Sequence, residues 1–412
     1  MAKKRGNSEG SIYRMQDGRW RAAVTVGKDA SGKPKRKVFT ASTRHEVKDQ
    51  LNDTLNDLKL GRLVAPEKQT VGQFLTWWLR EVVRPSARPK TMKAYEYQSR
   101  IHLIPGVGDK PLQKLTPLHV QTFLNDRLNQ RCKRTERFLS AKTVRHLHRT
   151  LCTALNAAMK YGNVARNVAT LVDPPRAQKP NIKFLNVEQA RTLLETAKGD
   201  RLYALYATVL SLGLRLGEGL GIPWPDVDLD TGRFNVHQAL QRIDKNLYPD
   251  RGGLQLVEPK GGYSARVVTR PAVTISALRH RQAQQDEERQ WAGSSWQNDW
   301  NLIFTTQDGK PLDERNVLRR FQEKILPIAG IPKMRLHDLR HSAVAILIAQ
   351  GVNIKAISEL LGHGSVAFTL QVYGHLLEET KREAADKMDT ALTPVSPVAT
   401  SVATKTDSPK VN

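Results

Sequence analysis

The sequence predicts a mixed α+β, multidomain protein. It reads as a small N-terminal three-stranded sheet plus a helix, an all-α module, and a mainly α domain with a small antiparallel sheet. Three observations lead there. A chain of 412 residues exceeds what one hydrophobic core ordinarily serves. Residues 10–40 hold short β-branched and aromatic runs separated by Asp-Gly and Ser-Gly turn signals. From Thr70 to about Leu171 apolar residues recur at helical spacing, and beyond Pro180 helical patterns enclose a few strand-like runs.

Residues 12–14, 19–26 and 35–39 read as strands, with Asp17-Gly18 as the hairpin turn between the first two and Ser31-Gly32 suited to the second. Thr43 with Glu46 forms a capping box, after which Val47, Leu51, Leu55 and Leu58 keep helical spacing up to Gly61. In the second strand Trp20, Ala22, Val24 and Val26 share one face, and Arg19, Arg21 and Thr25 share the other. With Arg14, Lys35 and Lys37 nearby, that second face either meets a phosphate backbone or a major groove, or is simply kept soluble by its charge. The first 50 residues hold 13 Lys+Arg against 5 Asp+Glu, an excess of 8 that favours nucleic acid.

Residues 62–68 read as a linker. In the helical module Val71, Phe74, Leu75, Trp78 and Leu79 make one apolar stripe. Thr116 caps a helix that begins with Pro117 and buries Val120, Phe123, Leu124 and Leu128. The strongest helix spans 140–161, with Val144, Leu147, Leu151, Leu155 and Met159 inward. Lys142, Arg145, His146 and Arg149 cluster near its start, as a solvated face or a DNA-facing one. The stretch DPPRAQKP at 173–180 is a boundary. Asn186 then opens a helix, residues 234–240, 254–258 and 265–269 read as strands, and helices return through Met388. The Ser/Thr/Pro/Val-rich tail is expected to be disordered.

The chain carries 65 Lys+Arg against 40 Asp+Glu, a net charge of +25 spread over its length. Such charge speaks of partners rather than fold, and nucleic acid leads over a membrane surface or a ribosome-like scaffold. The N-terminal MAKKRGNSEG lacks the apolar core of a secretory signal. The longest apolar run, 202–214, falls short of the roughly 20 residues a membrane span needs. Cys132 and Cys152 form no CxxC and no disulfide framework, so a soluble protein of a reducing intracellular compartment is expected.

The chemistry begins at HDLRH, residues 337–341. Two histidines four apart have the spacing of a zinc pair, but Asp338 stands where a zincin has Glu, and Arg340 would lie within a turn of the dication. No metal is expected. An anion suits the motif better: Arg340 presents a fork matched to phosphate oxygens, and His337, one turn earlier, can exchange a proton near neutral pH. His341 is expected to pack or cap locally. In LGLRLGE, Arg215 follows an apolar helix at a glycine-marked break, and Glu218 three residues later is its expected partner, since an unpaired buried charge is costly. LLGHG at 360–364 reads as a helix end with a glycine cap beside His363. LQVYGH at 370–375 sets Tyr373 at the end of a short segment.

GLRLGE, Lys260 within EPKGGYSARVV, HDLRH, LLGH and VYGH, in that order, resemble the tyrosine recombinase family of the phage-integrase type. The resemblance covers residues 175–385 closely. The helical module resembles the family's core-site-binding domain, and the N-terminal sheet resembles the arm-site-binding domain of larger integrases, both less specifically. The implied domains are 1–62 for arm-site binding, 68–172 for core binding and 181–390 for catalysis, with 391–412 as a disordered tail. The resemblance implies Tyr373 as the nucleophile, giving a 3′-phosphotyrosyl link and a free 5′-hydroxyl. Arg215 and Arg340 would hold the non-bridging oxygens. Lys260, read as lying in a β-hairpin turn, would protonate the leaving oxygen, His337 would assist proton transfer at the tyrosine, and His363 would hydrogen-bond the phosphate. Glu218 would orient Arg215. Arg14, Arg19, Arg21, Lys35, Lys37, Lys142, Arg145 and Arg149 are the expected DNA-binding residues.

The resemblance further implies no cofactor and no membrane. It implies double-stranded DNA with core-type and arm-type sites, four protomers on paired sites, and room for an accessory DNA-bending or directionality factor. The setting would be a bacterial host's cytoplasm and nucleoid. Residues 376–388 read as a charged amphipathic helix available to pack on a neighbouring protomer. Two departures stand out. Gly219 and Gly221 replace bulkier or small apolar residues, with softer packing expected there, and Gly261-Gly262 replaces a commoner Lys-Thr start to the hairpin, leaving Lys260 mobile. A catalytically inactive DNA-binding regulator and a type IB topoisomerase-like enzyme are the alternatives. The presence of Arg215, Arg340 and Tyr373 argues against the first, and the arm-type N-terminus against the second.

Overall fold

The structure is a computed structural model that describes residues 10–28, 34–59, 69–131, 136–178, 182–259, 265–269, 271–362, 364–377, 388–389 and 392. The expected linker at 62–68 and the tail beyond 392 lie outside them, as does most of the expected helix over 376–388. The chain divides into two compact units, Met1–Pro180 and Asn181–Asn412.

The first unit opens with strands β1 (Ser11–Arg14), β2 (Trp20–Lys28) and β3 (Pro34–Ala41) in an antiparallel sheet of order β1-β2-β3. Gly18 turns the first hairpin with φ of +85°, a conformation that glycine adopts freely. Helix α1 (Arg44–Lys59) covers one face: Ala22, Val24, Val47 and Leu51 form the core, flanked by Ile12, Trp20, Val26 and Phe39. The period-2 reading of β2 therefore holds.

Helices α2 (Val71–Trp78) and α3 (Arg84–Ser86) are joined by a π-turn at Leu79–Val83, and α4 (Pro89–Gln98) and α5 (Ile104–Val107) by another at Ser99–Leu103. In both cases a proline, Pro85 or Pro105, sits in the first turn after the widened segment. Its ring and missing N–H break the regular i to i−4 ladder, which explains the widening. Helix α6 (Pro117–Leu128) is capped by Thr116, whose hydroxyl accepts from the His119 N–H. Helix α7 (Ala141–Lys160) buries Val144, Leu147, Leu151 and Leu155 as expected, but Met159 is 46% exposed. The stripe drifts at 100° per residue and ends on Ala158 instead.

The second unit continues with α8 (Val187–Ala197), capped by Asn186, then α9 (Tyr203–Ser211) and α10 (Leu216–Leu220). Strands follow: β4 (Arg233–Val236), β5 (Ala239–Ile243), β6 (Gly253–Val257) and β7 (Arg266–Thr269). The run at 234–240, expected as one strand, breaks at His237-Gln238. There Gln238 donates to the Gly221 carbonyl at 2.8 Å and His237 pairs with Asp226 at 3.0 Å. In consequence β5 pairs β6 and β4 pairs β7, in two separate antiparallel sheets. Among the described residues β6 and β7 therefore pair with β5 and β4 rather than with one another, and the turn expected at Lys260 lies outside the described residues.

Helix α11 (Ala272–Ala292) packs on α9. Helices α12 (Glu314–Arg320) and α13 (Leu326–Ile328) flank a third π-turn at Phe321–Ile325, again before a proline, Pro327. Then come α14 (Asp338–Ala349), α15 (Ile354–Leu361) and α16 (Val366–Tyr373). Helix α9 is apolar on all sides because α11 and α14 enclose it, and residues Ala204 to Leu210 are all buried. Among the described residues no helix is long and apolar enough to cross a membrane.

The inward stripe of α7 is testable. Leu151→Ala is expected to cost about 2–5 kcal/mol by urea denaturation followed by circular dichroism, the range for a buried leucine. Met159→Ala should fall within about 0.5 kcal/mol of wild type, as for an exposed position.

Candidate active site

Three segments of the second unit build the site around Arg340, which is 3% exposed on the first turn of α14. Its guanidinium donates through Nη1 to the Gly213 carbonyl at 2.6 Å and through Nη2 to the Leu361 carbonyl at 2.8 Å. Gly213 holds φ of +57°, and a Cβ there would meet Leu361 Cδ2 at 2.7 Å. Only glycine turns its carbonyl toward Arg340 without strain or collision. Burial, with Arg215 close by, lowers the Arg340 pKa to about 9, so the side chain is cationic at neutral pH.

Arg215 sits just before α10, and Glu218 answers it as expected. The Arg215 Nη1 donates to Glu218 Oε1 at 2.6 Å, and the Arg215 backbone N–H donates to Oε2 at 3.1 Å. Glu218 is only 2% exposed and has a second partner absent from the sequence reading, Arg266 of β7, at 3.2 Å. Arg266 also donates through Nε to the Leu360 carbonyl at 2.6 Å. Burial disfavours the Glu218 carboxylate, but the guanidiniums of Arg266 and Arg215 outweigh it and hold its pKa below 4.5. Three guanidiniums face one carboxylate, leaving an excess of positive charge suited to a bound anion.

Gly219 and Gly221 do not soften this region: Gly219 lies close on α9, where a Cβ would meet Val209 Cγ2 at 3.1 Å. A Cβ on Gly221 would meet the Leu240 nitrogen at 2.7 Å, and one on Gly217 the Leu240 carbonyl at 3.0 Å. The glycines let α10 lie directly on β5, which fixes the origin of Arg215.

Tyr373 ends α16 within a cluster of Val344, Ile348, Ile357 and Leu361, and is 3% exposed. Burial raises its phenol pKa to about 12. The nearest acid–base group is not the expected one. His341 Nδ1 lies 2.5 Å from the Tyr373 hydroxyl, the two rings 5.6 Å apart. His337 instead meets His341 edge to face, with ring centroids 5.2 Å apart at 87°. His341 is thus not a merely local packing residue. Nothing in the motif spacing separates the two histidines, because both project from the same end of α14; the approach of α16 decides between them. Burial, then His341 and Arg340, lower the His337 pKa to about 4. Asp338 is held by Arg335, whose backbone N–H and guanidinium both donate to it.

Lys260 and His363 lie outside the described residues, as do Gly261 and Gly262. The described chain ends before and resumes after them: Val257 ends β6, Arg266 begins β7, and Gly362 caps α15 in the left-handed conformation, with φ of +65°. Among the described residues, no group of three or more His, Cys, Asp and Glu side chains gathers as a metal site would.

The expected DNA-binding residues divide by strand register. Arg21 lies opposite Tyr13 on β1 and Thr40 on β3, and Thr25 lies opposite Arg36. This outward face also carries Val38, opposite Ala23. Arg14 is opposite Trp20 and Lys37 opposite Val24, so both belong to the apolar face, where the Lys37 ammonium lies 5.3 Å from the Phe39 ring. Arg19 is in the turn, paired with Asp17 at 2.7 Å. Lys35 lies opposite Gly27 beyond a bulge, and its side chain falls outside the described residues. Arg36 and Tyr13 are the outward residues that strand alternation could have shown, had β1 and β3 been registered against β2. Lys142, Arg145 and Arg149 are exposed along α7 as expected.

Residues 183–380 match the phage integrase family, and residues 70–128 match the N-terminal SAM-like domain of phage integrases. A tyrosine recombinase XerC-like protein of Caldanaerobacter subterraneus is 32% identical over 90% of this chain and 95% of its own. An integrase of Streptomyces ambofaciens is 30% identical over 94% of this chain and 98% of its own. Among solved structures, the Tn1549 transposon integrase in complex with a circular intermediate DNA superposes with a TM-score of 0.64 at 20% identity, covering 78% of this chain and 100% of that one. This chain belongs to the phage integrase family, the tyrosine-type site-specific recombinases.

The Glu218 pair predicts a pH dependence. A carboxylate whose pKa is lowered on folding stabilises the protein above its unfolded pKa and loses that contribution as pH falls through its folded pKa. Glu218→Gln should therefore melt below wild type at neutral pH, and the gap should narrow as pH drops below 4.5. Paired thermal melts across that range check it.

Proposed function

We propose that the protein integrates and excises a phage or other mobile element by cutting and rejoining DNA through Tyr373. The observation that carries this reading is the clustering of two guanidiniums and a buried phenol, from the start of α10, from α14 and from the end of α16, with Arg215 and Tyr373 both close enough to act on the charge of Arg340. Tyr373 attacks a phosphodiester, giving a 3′-phosphotyrosyl link and a free 5′-hydroxyl. Arg215 and Arg340 stabilise the charge growing on the non-bridging oxygens, the largest single contribution in most such reactions. Lys260, on the β6–β7 connection, protonates the leaving 5′-oxygen, and His363, after the α15 cap, hydrogen-bonds the phosphate. His337 assists proton transfer through its contact with His341. The covalent link conserves the bond energy, so rejoining needs no ATP, and guanidiniums do the work of cations.

Residues 1–62 bind arm-type sites through the outward face of the sheet, 68–172 bind core-type sites with Lys142, Arg145 and Arg149 toward the duplex, and 181–390 carry out catalysis. Four protomers act on paired sites in the bacterial cytoplasm, with an accessory bending or directionality factor setting the balance of integration and excision. The net charge of +25 supports a polyanionic partner, and the DNA-bound transposon relative supports duplex DNA as that partner.

A nicked suicide duplex tests the chemistry. Wild type should be trapped as a covalent adduct, while Tyr373→Phe binds the same DNA without trapping. EDTA should leave trapping undiminished, and a loss would revive the metal reading of the 337–341 motif. Arg340→Lys should slow trapping by roughly 10²–10³-fold, as when one preorganised donor to a developing oxyanion is lost, measured in a single turnover.

A further inference from the structure

We infer that His341 is a catalytic residue, the group that takes the proton from Tyr373 as its oxygen attacks phosphorus and returns it on rejoining. The inference rests on Tyr373 as the nucleophile and adds the base that the sequence motif does not single out. Its foundation is the 2.5 Å separation of His341 Nδ1 from the Tyr373 hydroxyl, within hydrogen-bond reach without any movement. His337 packs on the His341 ring at near right angles, with centroids 5.2 Å apart, and it is the His341 ring that in turn meets the phenol ring, 5.6 Å away.

The surroundings fit the role. The phenol is buried and less acidic than in water, so it does not ionise unaided at neutral pH. Burial keeps His341 in its neutral form, able to accept. The acceptor is Nδ1, so the resting ring carries its proton on Nε2. Of the charged groups acting on His341, Arg335 and Arg340 oppose a positive imidazolium, and Asp338, one turn before it in the chain, offsets them. The imidazolium is therefore supported while the phosphotyrosyl link exists without being trapped afterwards.

The step balances. The Tyr373 O–H bond breaks and its proton goes to His341 Nδ1. The phenolic oxygen forms the bond to phosphorus with the freed electron pair. The bond from phosphorus to the 5′-oxygen breaks, and that oxygen takes its proton from the group proposed above, Lys260. Rejoining runs each transfer in reverse, with His341 protonating the departing phenol.

The test uses full-length protein and a nicked duplex selected for binding from a random-sequence pool, with covalent adduct followed in a single turnover. His341→Ala should slow adduct formation by about 10²–10⁴-fold, the range for a lost general base, while binding the duplex as wild type does. Added imidazole should restore part of the rate. Replacing Tyr373 with a difluorotyrosine, whose phenol ionises more readily, should shrink the difference between His341→Ala and its parent. His341→Gln, which keeps the volume and a hydrogen bond, should remain slow. Adduct formation within about threefold of wild type in His341→Ala overturns the inference. So does a loss that neither imidazole nor the fluorinated tyrosine relieves, since that is the signature of packing alone. An adduct formed by Tyr373→Phe would instead remove the nucleophile on which the inference stands, so the two failures are read on different variants.

Discussion

The site depends on one buried cation. Arg340 is almost wholly withdrawn from solvent, and an unpaired guanidinium there would be prohibitively costly. The fold answers with two backbone carbonyls, Gly213 before α10 and Leu361 at the end of α15. Carbonyl dipoles satisfy donors without cancelling the charge, so the pocket keeps its positive field. The same two bonds tie three segments distant in sequence to one point. Anything that moves α14 moves the ends of α9 and α15 with it.

Glu218 does the complementary work. A single buried carboxylate serves Arg215 and Arg266, and Arg266 passes the connection to the Leu360 carbonyl, next to the residue that Arg340 grips. Pocket charge and backbone position are thus set by one connected network. The short side of that network is made by glycine: at positions 217 and 221 the backbone of α10 lies against β5 at distances that exclude a side chain. What looked in the sequence like loosened packing is a close approach.

Much of the architecture was legible because it follows from local periodicity. The Thr116 and Asn186 caps, the stripe from Val71 to Leu79 and the alternation of β2 are all within reach of one segment's own pattern. Errors arose where a partner segment decides. Met159 leaves the core because the stripe that α7 presents to its neighbours has drifted round to Ala158. Lys37 turns inward because the register of β3 sets it against Val24. The strand expected over 234–240 divides because Gln238 is drawn to the Gly221 carbonyl, and the sheet pairing changes with it.

For the site, the sequence by itself determined the chemical inventory, the short-range pairing of Arg215 with Glu218, and the place of Tyr373 at the end of a short segment. Side chains three residues apart at a helix start are neighbours, so spacing suffices for that pair. Which histidine of 337–341 faces the phenol was not determined there, since His337 and His341 are equivalent by spacing. Only the packing of α16 against α14 brings the hydroxyl to His341, and only the tertiary fold adds Arg266 to the cluster. Contacts between elements depend on how their backbones cross, and a single segment carries no record of that crossing.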